Sequence, residues 1–150
     1  MIRMTKLADY GIVLLTHMAM GSEGSLHTAQ ELADRSRVPL PTASKLLKSL
    51  AHAGLVVSHR GRNGGYGLAR GSDCISIGEI IAAIEGPIGI TECGTGVDGN
   101  CDLDEFCAAR ERWGPISRAI ERALQDVPLS AMRPEPAGLV HLALPSRVTP

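Results

Sequence analysis

The stretch that decides the fold is residues 28–69, TAQELADRSRVPLPTASKLLKSLAHAGLVVSHRGRNGGYGLA. It opens on a capping box, in which the hydroxyl of Thr28 and the carboxylate of Glu31 satisfy backbone donors at the start of a short helix. After a break around residue 38, Pro41 can take the first position of a second helix. Two short strands flank the glycine-rich turn at 61–65. The order helix, helix, hairpin predicts a winged helix-turn-helix, which places its second helix in the DNA major groove.

The polar side of the second helix and the hairpin supply the candidate DNA contacts. Side chains near the N-terminus of such a helix reach base edges, and an arginine at the wing tip can enter a narrow minor groove. An ordinary solvated face formed by Lys45 and Lys48 is the alternative. The predicted contacts are Thr28, Pro41, Thr42, Ser44, Lys45, Lys48, Arg60, Arg62 and Tyr66.

Charge divides the chain into two unlike halves. Residues 1–71 hold nine lysines and arginines against four acidic residues, whereas residues 72–150 hold six against twelve. A basic half attracts phosphate, so we expect any polyanion contact in the first half.

Outside this stretch, the sequence is mainly helical. Periodicity predicts a helix from Thr5 to about Met20, and the capping box of Ser76 and Glu79 predicts another. A long helix is expected from about 102 to 127, with Gly114–Pro115 kinking or splitting it. Five prolines from residue 128 onward indicate a loosely ordered tail.

Composition excludes several classes of protein. No apolar run approaches the roughly 20 residues that span a bilayer, and no secretory signal opens the chain, so we expect a cytoplasmic protein. No HExxH pairing is present, and no two-residue cysteine motif supports a thiol redox enzyme, so we expect no catalytic activity. The five histidines are interpreted as structural or surface residues.

Three of the four cysteines are clustered. Seven residues separate Cys93 from Cys101 and five separate Cys101 from Cys107. Three thiolates favour zinc, copper or an iron-sulfur cluster over calcium or magnesium, and structural zinc sites usually have shorter gaps. Spacing alone leaves a cluster, zinc and unliganded thiols open. Cys74 stands apart and is predicted to be a small core residue.

Four segments together resemble the Rrf2 family of bacterial winged-helix regulators, which includes IscR-type, NsrR-type and SUF iron-sulfur assembly regulators. They are IRMTKLADYG at 2–11, LLKSLAHAGLVVSHRGRNGGYGLAR at 46–70, ISIGEIIAAIEG at 75–86 and the cysteine segment. The resemblance covers about residues 2–127. It implies a homodimer joined through the long helix, an iron-sulfur cluster on the three cysteines, and operator DNA as partner.

The resemblance also bears on the fourth cluster ligand. IscR-type members have a histidine three residues after the last cysteine, where this chain has Arg110, which stays protonated and cannot ligate. NsrR-type members use an aspartate of the partner's first helix, and Asp9 matches that position. An exposed carboxylate favoured by the helix dipole is the alternative for Asp9. The long first gap leaves a two-iron or a four-iron cluster (2Fe-2S or 4Fe-4S) open, with the four-iron form favoured and one cluster per subunit.

By the same resemblance, IscR-type recognition residues match Pro41, Ser44, Lys45 and Arg60. The expected fold is mainly α with a small β-hairpin wing and a long C-terminal dimerisation helix. The expected division is a DNA-binding domain at 1–72, a linking helix and cluster loop at 73–101, a dimerisation helix at 102–127 and a flexible tail at 128–150. The expected function is cluster-sensing repression of SUF or ISC genes. Nitric-oxide or redox sensing and a zinc-stabilised interaction module are the alternatives.

Overall fold

The computed structural model describes residues 3–91 and 107–134. Within those ranges the fold is mainly helical with one two-stranded antiparallel hairpin, as predicted. In chain order the elements are α1 (Lys6–Ala19), α2 (Ala29–Ser36), α3 (Leu40–His52), β1 (Val56–His59), β2 (Gly65–Leu68), α4 (Ile77–Glu85) and α5 (Arg110–Gln125), with 3-10 turns at Ser72–Cys74 and Leu129–Met132.

Both predicted capping boxes form. The Thr28 hydroxyl accepts from the backbone N–H of Glu31 at 3.1 Å, and the Thr28 N–H donates to the Glu31 carboxylate at 2.8 Å. Ser76 and Glu79 make the same exchange at 3.1 and 2.9 Å. These local contacts fix where α2 and α4 begin.

One apolar core joins the helices of the winged domain to α4. A Cβ atom at Gly11 of α1 would overlap the end of the Ile84 side chain of α4, so these two helices pack closely at this glycine. The fully buried side chains include Leu14, Leu15, Leu32, Leu47, Leu50, Ile75, Ile80 and Leu129. The linking helix α4 therefore packs in the same core as the helix-turn-helix.

The wing is a short hairpin paired from Val56 with Leu68 to His59 with Gly65. Its turn depends on Gly61, whose φ of 114° is in the region that favours glycine. On the other side of β2, His27 and Tyr66 exchange backbone hydrogen bonds of 2.9 and 2.8 Å. This bridge fixes the wing to the chain just before α2.

The C-terminal part differs from the prediction at the start of α5 and at residues 128–134. Cys107–Ala109 form a turn, so α5 begins at Arg110 and not near 102; residues 102–106 lie outside the described ranges. The helix continues past Gly114–Pro115 without splitting. Residues 128–134 are not a tail, because Pro128 bridges Ser76 and Leu129 is fully buried. The rest of the predicted tail, 135–150, is not described.

No helix in the described ranges is long and apolar enough to cross a bilayer.

Candidate DNA interface and cysteine segment

Helix α3 presents one apolar face and one cationic face. Ala43, Leu46, Leu47 and Leu50 are buried against the core. The opposite side is solvent-exposed, and its residues follow one another at helical spacing. They are Pro41, Lys45, Lys48 and His52. The predicted polar side of α3 therefore faces solvent and is available to a partner.

The first turn of α3 lacks the usual capping contacts. Its N-cap is Pro39, which makes no side-chain cap, and Pro41 has no N–H to donate. Thr42 lies in this turn and Ser44 in the next. Both are predicted DNA contacts, and both are half-buried.

The wing arginines lie as predicted, at the turn. Arg60 and Arg62 are exposed on either side of Gly61. Across residues 3–91 and 107–134, neither arginine, nor Lys45, nor Lys48, has a carboxylate within ion-pair distance. These four side chains can therefore pair with an anionic partner without breaking an internal ion pair.

Two of the predicted DNA contacts have structural roles. The Thr28 hydroxyl accepts the capping bond, which leaves its O–H free to donate, and Thr28 is exposed. Tyr66 is half-buried and packs against the core cluster. The backbone and hydroxyl of Thr28 lower the pKa of Glu31 through the capping hydrogen bonds.

A cation that sequence reasoning missed lies in the turn between α2 and α3. Arg37 is exposed and adopts a left-handed conformation, φ 58°. Its position between the two helices of a predicted helix-turn-helix, together with its charge, could have identified it. A turn residue is easily overlooked when only helix faces are searched.

An ion pair joins the end of the wing to α4. Arg70, two residues after β2, donates to Glu79 at 2.8 Å. This hydrogen bond, with that from the Ser76 backbone, lowers the pKa of Glu79. Arg70 is thus a basic residue of the first half whose charge is already paired.

The predicted cluster ligands are only partly described. Cys107 is a free, half-buried thiol immediately before α5, while Cys93 and Cys101 lie outside the described residues. Asp9 is exposed in the first turn of α1. Among the residues that the structure describes, no three candidate ligands come together at a metal site.

Cys74 is not in the core, contrary to the prediction. It ends the 3-10 turn at Ser72–Cys74, and its side chain is exposed. The neighbouring Ile75 is fully buried and fills the core position instead. A one-residue shift in which side chain points inward accounts for the error.

Both described ends of the cysteine segment adjoin α5. The backbone N–H of Ile90 donates to the hydroxyl of Ser117 at 3.4 Å, and Ser117 is buried within α5. Cys107 precedes the same helix by three residues. The described residues on both sides of the intervening segment therefore lie next to α5.

Comparison with known proteins decides the family. The family model described as Rrf2, an iron-dependent transcriptional regulator, matches residues 4–134. The chain belongs to the Rrf2 family. It is 29% identical to the HTH-type transcriptional regulator IscR of Vibrio cholerae, over 98% of this chain and 88% of that protein.

Solved structures of Rrf2-type regulators have the same fold. CymR, the global cysteine regulator of B. subtilis, matches with a TM-score of 0.67 and 29% identity, over 87% of this chain and 95% of CymR. T. potens IscR matches with a TM-score of 0.65 and 26% identity, over 87% and 85%. As a member of the Rrf2 family, the chain is a winged-helix, DNA-binding transcriptional regulator, and its relatives are regulators and not enzymes.

Proposed function

We propose that this Rrf2 regulator is a cytoplasmic homodimeric repressor whose affinity for a pseudo-palindromic operator depends on an iron-sulfur cluster. The main support for this proposal is that both described ends of the three-cysteine segment adjoin the same helix, α5. Ile90 contacts Ser117 within this helix, and Cys107 lies three residues before it. Such an arrangement lets ligand occupancy in the segment act on α5.

In the proposed complex, α3 lies in the major groove and the wing reaches the minor groove. Lys45 and Lys48 neutralise phosphates beside the groove, with Thr42 and Ser44 near base edges. Arg60 and Arg62 extend from the wing tip towards the minor groove. The absence of internal ion pairs at these four cations, within the described ranges, supports this assignment.

The donor set fits an iron-sulfur cluster. Cys93, Cys101 and Cys107 would hold it through three thiolates, and Asp9 of the partner subunit would supply the fourth ligand. A hard oxygen ligand binds cluster iron more weakly than a thiolate, so that corner would be the labile one. When bound, the cluster would supply sensitivity to oxidation, nitric oxide or iron supply. Cys107, as a free and partly accessible thiol, is available to ligate.

A second copy of the chain is the partner that the apolar surface favours. A groove of about 680 Å³ runs between α4, α5 and the start of the chain, and its lining includes Met4, Ile81 and Leu124. Leu7 and Ile116 add exposed apolar surface on α1 and α5. Contact through this face would include α1 of each subunit, the helix that carries Asp9.

The chain's own residues would transmit cluster state to DNA. Ligation of the three cysteines would move the Ile90–Ser117 contact and the start of α5 together. Because two recognition helices must match successive major grooves, a small change at α5 would alter operator affinity. The proposed targets are SUF or ISC assembly genes, and nitric-oxide or redox sensing would use the same site.

Single substitutions in anaerobically purified protein test the ligand assignment. Cys101→Ala should abolish the visible absorption of a cluster, whereas Cys74→Ala, which removes an exposed cysteine outside the segment, should leave it unchanged. Asp9→Ala should change the spectrum or the stability of the cluster. A colourless wild-type protein with one zinc per chain would overturn the cluster assignment, and an unchanged Asp9→Ala spectrum would remove Asp9.

A further inference from the structure

The recognition helix begins with hydrocarbon that faces solvent. Pro39, Leu40 and Pro41 are all exposed, and Leu40 keeps 39% of its surface accessible. The other leucines of α3 are at most 3% exposed. Leu40 therefore does not stabilise the core as they do, and its side chain is free to contact a partner.

Cations surround this apolar end on the described surface. Lys45 lies one turn beyond Pro41 on the outward face, and Arg37 is exposed just before the helix. Neither cation has an ion-pair partner among the described residues. An apolar spot with a cationic rim fits a partner that places a small apolar group between negative charges.

Duplex DNA presents such a group in its major groove. Each thymine carries a 5-methyl group there, between flanking phosphates, and apolar side chains read it by contact. The first turn of α3 is poorly suited to the other common role of a helix N-terminus, binding phosphate through N–H groups, because Pro41 has no N–H. Leu40 and Pro41 at this end of the helix can therefore offer a partner hydrocarbon contact.

We propose that Leu40 and Pro41 contact the 5-methyl group of one thymine in each operator half-site and thereby select T·A over C·G at that position. This rests on the proposed placement of α3 in the major groove. Burying one methyl group changes affinity by about fourfold, so a dimer that reads two such thymines would lose roughly fifteenfold when both methyls are removed.

Uracil substitution tests the contact, because uracil differs from thymine only by the methyl group. An operator is first selected from a randomised duplex library with the full-length protein, and each thymine is then replaced by uracil symmetrically in both half-sites. We expect one position at which the dissociation constant, measured by fluorescence anisotropy, rises roughly fifteenfold. Replacing that thymine by 5-methylcytosine, which keeps the methyl group, should raise the dissociation constant less than replacing it by cytosine.

Protein variants connect that position to Leu40. In Leu40→Ala, the effect of uracil at that position should fall to less than about half its wild-type size. Leu26→Ala is the matched control, because Leu26 is 38% exposed but lies outside α3, beside Gly67 of the wing. It should keep the full uracil effect. Unchanged thermal unfolding of Leu40→Ala would show that folding is intact.

The outcomes separate this inference from the proposed function. An operator that tolerates uracil at every position, or an equal uracil effect in wild type and Leu40→Ala, would overturn the methyl contact while leaving DNA binding in place. Failure to select any duplex would overturn both the DNA-binding assignment and this inference.

Discussion

Replacing Arg60 by Gln should reduce the salt dependence of operator binding. Four of the predicted DNA contacts are cations that have no ion-pair partner within the described ranges, Lys45, Lys48, Arg60 and Arg62. A dimer would present about eight, and each of them that neutralises a phosphate, whether beside the major groove or at the edge of the minor groove, contributes about −0.9 to the slope of log affinity against log salt. Full engagement thus predicts a slope of roughly −7, and Arg60→Gln, which removes two contacts per dimer, should make it shallower by about 1.8.

The assay is a titration of labelled operator at several salt concentrations. Over a fourfold rise in salt, the wild type should lose about 12-fold more affinity than Arg60→Gln, which follows from the difference of about 1.8 in slope. Arg70→Gln is the matched control, since it removes the same charge from an arginine already paired with Glu79 at 2.8 Å. Equal slopes for Arg60→Gln and Arg70→Gln would refute the reasoning.

Three further predictions concern the stability of the fold and are tested by urea or thermal unfolding. Thr28→Ala removes the α2 cap and should lower the free energy of unfolding by about 1 kcal/mol, whereas Thr28→Ser keeps the hydroxyl and should lower it far less. Equal losses for the two variants would contradict the capping role. A Cβ at Gly78 would lie 2.9 Å from the Cγ of Gln125 and 3.1 Å from its backbone N. Gly78→Ala should therefore lower the free energy of unfolding by about 1–3 kcal/mol. A Cβ at Gly114 would contact only the flexible end of an arginine side chain, so Gly114→Ala should leave the free energy of unfolding nearly unchanged. Similar losses for the two glycine variants would argue against close α4–α5 packing. Hydrogen bonds from its arginine partner and a backbone N–H hold the pKa of Glu79 below its ordinary 4.5. The stabilisation that ionised Glu79 gives the folded state is therefore complete above that pH and is lost as the pH falls through the folded-state pKa. The wild type should therefore be more stable than Glu79→Gln at pH 7, and a difference that persists unchanged at pH 3 would contradict this.

The features that sequence predicted well are those set by neighbouring residues. The capping boxes at Thr28 and Ser76 form with the residues predicted, because each needs only a hydroxyl and a carboxylate three positions apart. The outward position of Lys45 and Lys48 followed from the apolar stripe opposite them.

The features that sequence missed depend on distant parts of the chain. Leu129 is buried by contact with α1 and the turn before α4, and one leucine after a proline has no periodicity to reveal this. Cys74 was assigned to the core by residue type, whereas the turn it ends directs Ile75 inward instead. Arg37 lies in the turn between α2 and α3, on neither helix face, so the periodicity of the helices does not point to it.

The central claim is that ligation of the cysteine segment alters operator binding, and it can be measured directly. One anaerobic preparation is divided, the cluster is removed from half by chelation, and operator affinity is determined for both halves at the same salt. Coupling between two sites is typically 5–150-fold, so we expect the two affinities to differ by at least about fivefold, and the difference to vanish in Cys101→Ala. Equal affinities for the loaded and the cluster-free protein would contradict the account.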